Sequence, residues 1–148
     1  MKRVHVLSLA LLLTLCLPSL GMSAADGADA EISRYKKALE IDPTNTDLHN
    51  NLGIVYYNAG QLDDAIAEFK KVTKMDPNYA EAYYNLGAVY GNKGMFDEAI
   101  VQYNKAVTLN ANMADALNNM GLAYFNKGQN TGAVTKYKEA LRIAPNHV

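Results

Sequence analysis

The chain has little of what catalytic and metal sites are built from. It contains one cysteine, Cys16, and three histidines. Cys16 lies in an apolar N-terminal stretch, so a chain processed beyond it has no disulfide and no thiol chemistry. The same processing leaves two histidines, His49 and His147, and one serine, Ser33. These side chains supply no pair of nucleophile and base and no metal set. The composition therefore indicates a protein that is not an enzyme and needs no cofactor.

Positive charge is not in excess either. Lysine and arginine number 14 against 15 acidic residues, and removal of Lys2 and Arg3 with the N-terminal stretch leaves a net charge of about −3. Nucleic acids and anionic membrane surfaces recruit basic faces. The charge balance therefore argues against both as the main partner.

The first 25 residues have the form of a signal peptide. Lys2 and Arg3 precede an apolar run over 4–17, and small residues follow at 23–25. We therefore predict an exported protein, periplasmic or secreted. Two alternatives stay open. One is an uncleaved membrane anchor, although a span needs roughly 20 apolar residues, and the other is a lipoprotein attached through Cys16.

A short pattern recurs three times, 34 residues apart: Leu52-Gly53-x-x-Tyr56, Leu86-Gly87-x-x-Tyr90 and Met120-Gly121-x-x-Tyr124. A unit of this length cannot bury its own apolar face and must stack on copies of itself. In the first copy, helical spacing predicts one helix over about 46–59 and a second over about 62–74. Gly60 ends the first of them. Gly53 is small because two helix axes approach to roughly 8 Å only where no bulky side chain intervenes.

The complete pattern resembles the tetratricopeptide repeat. It reads His49, Leu52, Gly53, Tyr56, Ala65, Phe69, Val72 and Pro77 in the first copy. The second has Tyr83, Leu86, Gly87, Tyr90, Ala99, Tyr103, Ala106 and Ala111, and the third Leu117, Met120, Gly121, Tyr124, Ala133, Tyr137, Ala140 and Pro145. His49 stands at a core position and is expected to pack there. Upstream, Ile32, Tyr35, Ala38 and Pro43 match the second half of a further copy.

The resemblance implies an all-α, right-handed superhelix of about three and a half repeats. The expected divisions are a flexible leader at 26–30, a half repeat with only its second helix at 31–45, and full repeats at 46–79, 80–113 and 114–147. Proline ends the second helices at Pro43, Pro77 and Pro145. Asn110-Ala111-Asn112 breaks that rule, so a looser joint is expected there.

A second stripe runs along each first helix, on the face turned away from the core. It consists of an acid, an asparagine, an aliphatic residue and another asparagine: Asp47, Asn51, Ile54 and Asn58; Glu81, Asn85, Ala88 and Asn92; Asp115, Asn119, Leu122 and Asn126. The acids suit the helix dipole, and the last asparagines stand where each helix ends. Asn51, Asn85 and Asn119 lie in mid-helix, where asparagine costs about half a kcal/mol relative to alanine.

Two interpretations of these mid-helix asparagines stay open. In the structural one, each amide bonds a neighbouring helix backbone. In the functional one, implied by the resemblance to some superhelical members of the family, an asparagine ladder lines the inner groove and bonds the backbone of an extended peptide. At roughly 10 Å per repeat, three copies would hold about six to nine residues. Apolar contacts would come from Tyr57, Tyr84 and Phe125.

The charge of this stripe bears on the ligand. It contains no lysine or arginine, so a clamp for a terminal carboxylate is not expected, and a neutral or basic segment is favoured. A carbohydrate is a further candidate ligand, since asparagine, aspartate and tyrosine also suit sugar hydroxyls.

The ends of the array offer a different function. The half repeat lacks a first helix, and no helix follows to cover the last one. Exposed apolar ends at Ile32 and Tyr35, and at Val134, Tyr137 and Leu141, would allow stacking into a homo-oligomer. Fraying of the last helix is the structural alternative.

Overall fold

The computed structural model describes residues 24–145, so nearly all of the predicted signal peptide lies outside the described residues. That part of the chain folds into helices only, with bounds α1 (Ala24–Ile41), α2 (Thr46–Asn58), α3 (Leu62–Met75), α4 (Ala80–Asn92), α5 (Phe96–Leu109), α6 (Ala114–Asn126) and α7 (Asn130–Ile143). The predicted all-α solenoid is confirmed. Among these helices, none is both long and apolar enough to cross a bilayer.

Glycine ends the first helix of each repeat. Gly60 has φ 74° and donates its N–H to the carbonyl of Tyr57 over 3.0 Å, while Gln61 donates to the carbonyl of Tyr56 over 2.9 Å. This is a Schellman motif, in which a left-handed residue satisfies the last carbonyls of a helix. Gly94 and Gly128 adopt the same φ, 73°. The hairpin turn is therefore built identically in all three repeats.

The turn from one repeat to the next is closed by a side chain. Asn78 donates its backbone N–H to the Asp76 carboxylate over 2.9 Å, and Asn112 donates to the side-chain oxygen of Asn110 over 3.1 Å. The prediction of a looser joint at 110–112 is wrong, because an asparagine oxygen makes the bond that the aspartate makes one repeat earlier.

Each hairpin is held closed by a glycine against an aromatic ring. A Cβ on Gly53 would lie 2.6 Å from the Phe69 ring, and one on Gly87 would lie 2.8 Å from the Tyr103 ring. Real Cβ atoms do not approach that closely, so the helix pair requires glycine at this position. The close approach predicted from the sequence is present, and the ring of the second helix covers the glycine.

The first helices form the inner side of the array. α2 contacts α4 and α4 contacts α6, whereas the second helices α3, α5 and α7 make no such contacts with one another within the described part of the chain. Helices that approach each other across repeats lie on the inside of the curve. We call the exposed side of α2, α4 and α6 the inner face.

The N-terminal helix departs from two predictions. Residues 26–30, predicted to be a flexible leader, belong to α1. The segment is rich in alanine, which favours helix. Ile32 is buried and Tyr35 is partly buried, because α1 packs on α2 as the second helix of a preceding unit would. This packing removes Ile32 from the surface expected to stack.

His49 lies in the core as predicted, but within a polar cluster. Its Nδ1 is 2.6 Å from the carboxylate of Glu68, and its Nε2 is 3.0 Å from the carbonyl oxygen of Pro43. Lys71 donates to the other oxygen of Glu68 over 2.7 Å. A buried polar group is stable only when its partners are present, so this cluster joins the α1–α2 turn to α2 and α3.

Candidate functional site

The inner face carries a hollow of about 260 Å³ between α4 and α6. We call it the α4–α6 hollow; its lining is Tyr57, Ala88, Gly91, Asn92, Phe96, Tyr103, Asn119, Leu122, Ala123 and Asn126. The lining is mostly apolar, with three carboxamides among it. A concave apolar surface with a few placed polar groups is the usual form of a binding site.

Six residues of the predicted groove line this hollow: Tyr57, Ala88, Asn92, Asn119, Leu122 and Asn126. The other nine lie elsewhere on the first helices, with Asp47, Asn51, Asn58, Glu81, Asp115 and Phe125 exposed and Ile54, Tyr84 and Asn85 partly buried. The structure therefore brings six of the fifteen predicted groove residues together in one hollow.

The mid-helix asparagines of the second and third repeats bond the preceding repeat. Asn85 donates its side-chain N–H to the side-chain oxygen of Asn50 over 3.1 Å, and Asn119 donates to the hydroxyl of Tyr84 over 3.3 Å. Both pairs are 35 residues apart. The partners are side chains, not the backbone that the structural interpretation named. The amide nitrogen is the donor in both bonds, and Asn119 is also hydrogen-bonded to the side chain of Tyr103.

A similar bond lies at the ends of the helices. Asn92 donates to the hydroxyl of Tyr57 over 3.4 Å, again across 35 residues. These three contacts run along the inner face and link α2 to α4 and α4 to α6. The face is therefore braced before any ligand arrives, which lowers the entropy lost on binding.

The floor of the hollow is neutral. Tyr103 lies beneath it, with its ring centroid 6.0 Å from that of Tyr84. Burial raises the pKa of both tyrosines above the ordinary value of 10.0. Both hydroxyls therefore remain protonated at neutral pH and act as donors or acceptors without charge.

An acidic rim lies at the N-terminal ends of the three first helices. Asp47, Glu81 and Asp115 begin the three first helices. The basic residues at the ends of these helices are paired with the second helices, Lys93 with Asp63 and Lys127 with Asp97. The first helices thus carry acids at their starts and lysines only at their ends, an arrangement that suits a neutral or basic ligand at the acidic end.

Tyr79 extends the acidic rim. Its hydroxyl donates to Asp47 over 2.8 Å, from the turn before α4. Burial, followed by the neighbouring Asp47 carboxylate, raises the pKa of Tyr79 to about 12. The phenol form is therefore held through the physiological range.

Four lining residues were not predicted as groove residues: Gly91, Phe96, Tyr103 and Ala123. Tyr103 had been placed in the core stripe alone. The sequence does carry one signal for Gly91, since the equivalent positions one repeat away are the aromatic residues Tyr57 and Phe125. A departure from the repeat on a functional face marks a place to look for a pocket.

The C-terminal side has a second, larger hollow of about 460 Å³ between α6 and α7, lined by Ala114, Asp115, Asn118, Tyr137, Ala140, Leu141 and Ala144. Of the residues predicted for stacking, Val134 and Leu141 are exposed, while Tyr137 is partly buried against Gly121. Apolar surface is therefore available on α7.

Side chains that bind metal ions do not cluster in the described part of the chain. Over residues 24–145, no group of three or more histidine, cysteine, aspartate or glutamate side chains is placed to hold a metal ion. The chemistry that the inner face offers is hydrogen bonding, apolar contact and negative charge.

Similarity to known proteins follows the same repeats. Models described as "TPR repeat" and "Tetratricopeptide repeat" match residues 55–94, 80–113, 35–67 and 114–147. Comparison with curated proteins finds no match.

Several solved structures have the same fold. A crystal structure of MamA is 33% identical, with a TM-score of 0.77, over 85% of this chain and 77% of that one. Structures titled "MamA MSR-1 C2" and "MamA AMB-1 P212121" are 23% and 24% identical, with TM-scores of 0.72 and 0.73. The first covers 82% of this chain and 70% of that one, and the second covers 80% and 70%. With its repeat signature, its stacked hairpins and these matches, the chain belongs to the tetratricopeptide repeat family.

Proposed function

We propose that this chain is an exported, non-catalytic interaction module that holds an extended peptide segment of a partner protein along the inner face. Its tetratricopeptide repeats make it a protein-interaction or scaffold module. The observation that carries the groove is the α4–α6 hollow, because it is concave, largely apolar and lined by residues from equivalent positions of successive repeats.

The polar groups of the inner face suit a peptide backbone. An extended peptide presents an N–H and a carbonyl at each residue. The carboxamide oxygen of Asn85 accepts from such an N–H group, while its nitrogen is held by Asn50. The acidic rim favours a segment that is neutral or basic.

Export is the second element of the proposal. It rests on the basic start, apolar run and small residues of the first 25 positions. Mass spectrometry of the chain purified from its own cells tests it. A mature N-terminus near residue 26 supports export, and an intact Met1 in a cytoplasmic fraction overturns it.

The groove is tested by placing a charge within it. Leu122 lines the hollow and is 49% exposed, so Leu122→Asp should leave the fold intact and abolish retention of a partner from an envelope extract. Val101→Asp on α5 is the matched control, since Val101 is 61% exposed on a second helix. Circular dichroism confirms equal helicity. If a partner binds both variants equally well, the inner face is not its site.

A homo-oligomer built through the exposed apolar surface is the second candidate. The hollow between α6 and α7, together with Val134 and Leu141, favours it. Sedimentation equilibrium of wild type and Val134→Asp distinguishes the two functions. A mass that rises with concentration and is lost in the variant supports stacking, and a concentration-independent monomer mass excludes it.

A further inference from the structure

Gly91 interrupts an aromatic position. Its equivalents are Tyr57 in the first repeat and Phe125 in the third, each 34 residues away. Nothing in the backbone requires glycine here, because Gly91 lies within α4 and is not among the glycines with positive φ. A Cβ on Gly91 would meet Tyr103 Oη at 3.7 Å and Ala99 Cβ at 4.0 Å, which are ordinary contacts. The position therefore has room for a Cβ, and the chain places none there.

The absence of a side chain at Gly91 leaves empty space next to the carboxamide of Asn126. In the first repeat, the hydroxyl of Tyr57 accepts from Asn92 of the following helix. One repeat later, Asn126 takes the position of Asn92 and Gly91 takes the position of Tyr57. Because glycine has no side chain, Asn126 has no equivalent hydroxyl to bond. Gly91 and Asn126 both line the α4–α6 hollow. The hollow thus lies where an aromatic side chain at position 91, equivalent to Tyr57 and Phe125, would place its ring.

The hollow has room for a single ring. An apolar cavity of about 150 Å³ binds benzene. At about 260 Å³, the α4–α6 hollow, which opens onto the inner face, accommodates one aromatic ring with its polar substituent.

The chemistry of the lining matches such a ring. Phe96, Tyr103 and Leu122 supply aromatic and apolar contacts, and aromatic rings favour tilted or edge-to-face neighbours. Asn126 supplies a donor at the rim for a phenol hydroxyl. The acidic rim at the starts of the first helices favours neutral or basic residues in the part of the peptide that lies beyond the pocket.

We propose that the α4–α6 hollow is a pocket for one aromatic side chain, preferably tyrosine, of a neutral or basic peptide bound on the inner face. The pocket rests on the proposed peptide-binding function and gives it a selectivity rule. The peptide supplies the ring that the repeat omits at Gly91, and the position of that ring sets the register of the segment.

Two substitutions at one position isolate the pocket. Gly91→Tyr restores the residue type of position 57 and fills the hollow from within. Gly91→Ala adds only the tolerated Cβ and leaves the hollow open. Neither variant replaces a carboxamide of the inner face, and the hydroxyl of Gly91→Tyr takes the place beside Asn126 that the Tyr57 hydroxyl takes beside Asn92.

The probe is a phage-displayed library of random nine-residue peptides, selected on the full chain. We expect one position to be enriched in tyrosine, phenylalanine or tryptophan. Selected peptides should bind Gly91→Tyr at least about tenfold more weakly and Gly91→Ala within about twofold, since burial of an aromatic side chain contributes at least that much. Alanine at the enriched position should weaken binding to the wild type and have no effect with Gly91→Tyr.

The failures can be told apart. Peptides that bind Gly91→Tyr as tightly as wild type, but are lost with Leu122→Asp, overturn the aromatic pocket and leave the groove in place. A library that yields no peptide, or only peptides insensitive to both substitutions, overturns the groove and the pocket together.

Discussion

Asn85 donates its side-chain amide to the side-chain oxygen of Asn50, 3.1 Å away and 35 residues earlier in the chain. Asn50 is only 3% exposed. The bond therefore satisfies a buried carboxamide and joins α2 to α4. The neighbouring residue, Asn51, is exposed on the same helix. Identical residue types, adjacent in sequence, thus have different environments.

Asn85→Ala should destabilise the fold by about 1 kcal/mol. It leaves the oxygen of Asn50 buried without its donor, at a cost of about 1–3 kcal/mol, and gains about half a kcal/mol of helix propensity. Asn51→Ala, the matched control, gains the propensity alone and should be neutral or slightly stabilising. Urea denaturation measures both. Equal effects of the two substitutions would show that the bond contributes nothing.

Gly87 and Gly91 lie one turn apart on α4 and should respond oppositely to alanine. Gly87→Ala places a Cβ 2.8 Å from the Tyr103 ring, so the hairpin must open, and we expect a loss of about 1–3 kcal/mol. Gly91→Ala meets only ordinary contacts and should gain up to about 1 kcal/mol. Thermal unfolding compares them, and a gain from Gly87→Ala would contradict the packing described.

The buried pair His49 and Glu68 should behave as a unit. His49→Tyr should cost about 2 kcal/mol, because it removes the partner 2.6 Å from a buried carboxylate. The double variant His49→Tyr with Glu68→Gln should recover most of the lost stability. It places at positions 49 and 68 the pair that the next repeat has at the equivalent positions, Tyr83 and Gln102. Denaturation of the wild type, both single variants and the double variant gives the coupling. Additive losses would show that the two side chains are independent.

Tyr79 should make stability fall at alkaline pH. Its pKa is about 12 in the fold and 10.0 in the ordinary environment, so the folded state holds this proton more tightly. The stabilisation is complete below pH 10 and is lost as the pH rises from about 10 through 12. Between these values, Tyr79→Phe should lose stability less steeply than wild type. Urea denaturation at several pH values between 10 and 12 gives the free energy of unfolding of each protein. An equally steep fall of that free energy with pH in both proteins would contradict the raised pKa of Tyr79.

The sequence predicts most of the scaffold. Its 34-residue period, its glycines after each first helix and its small residues opposite aromatic rings are local signals, and the helices follow them. The start of α1 was missed because Ala-rich residues that also contain Gly27 give no clear boundary signal. The joint at Asn110 was misjudged because asparagine replaces the turn bond of aspartate.

The site is harder to predict for a physical reason. Bonds such as Asn119 to Tyr84 join residues 35 apart, one more than the repeat, and depend on how neighbouring helices are offset. The 34-residue period shows which positions of the repeats are equivalent, but it does not show which side chains of neighbouring repeats contact each other. Gly91 was detectable as a departure from Tyr57 and Phe125, but its meaning depends on the hollow beside it.

Site-specific photo-crosslinking tests the central claim most directly. A photoreactive phenylalanine analogue replaces Phe125 on α6 or Val101 on α5, in the full chain produced in its own cells. We predict a covalent adduct with a partner protein from position 125 and none from position 101, and loss of the adduct when Leu122→Asp is added. An adduct from position 101 alone, or one at 125 that survives Leu122→Asp, would contradict peptide binding on the inner face.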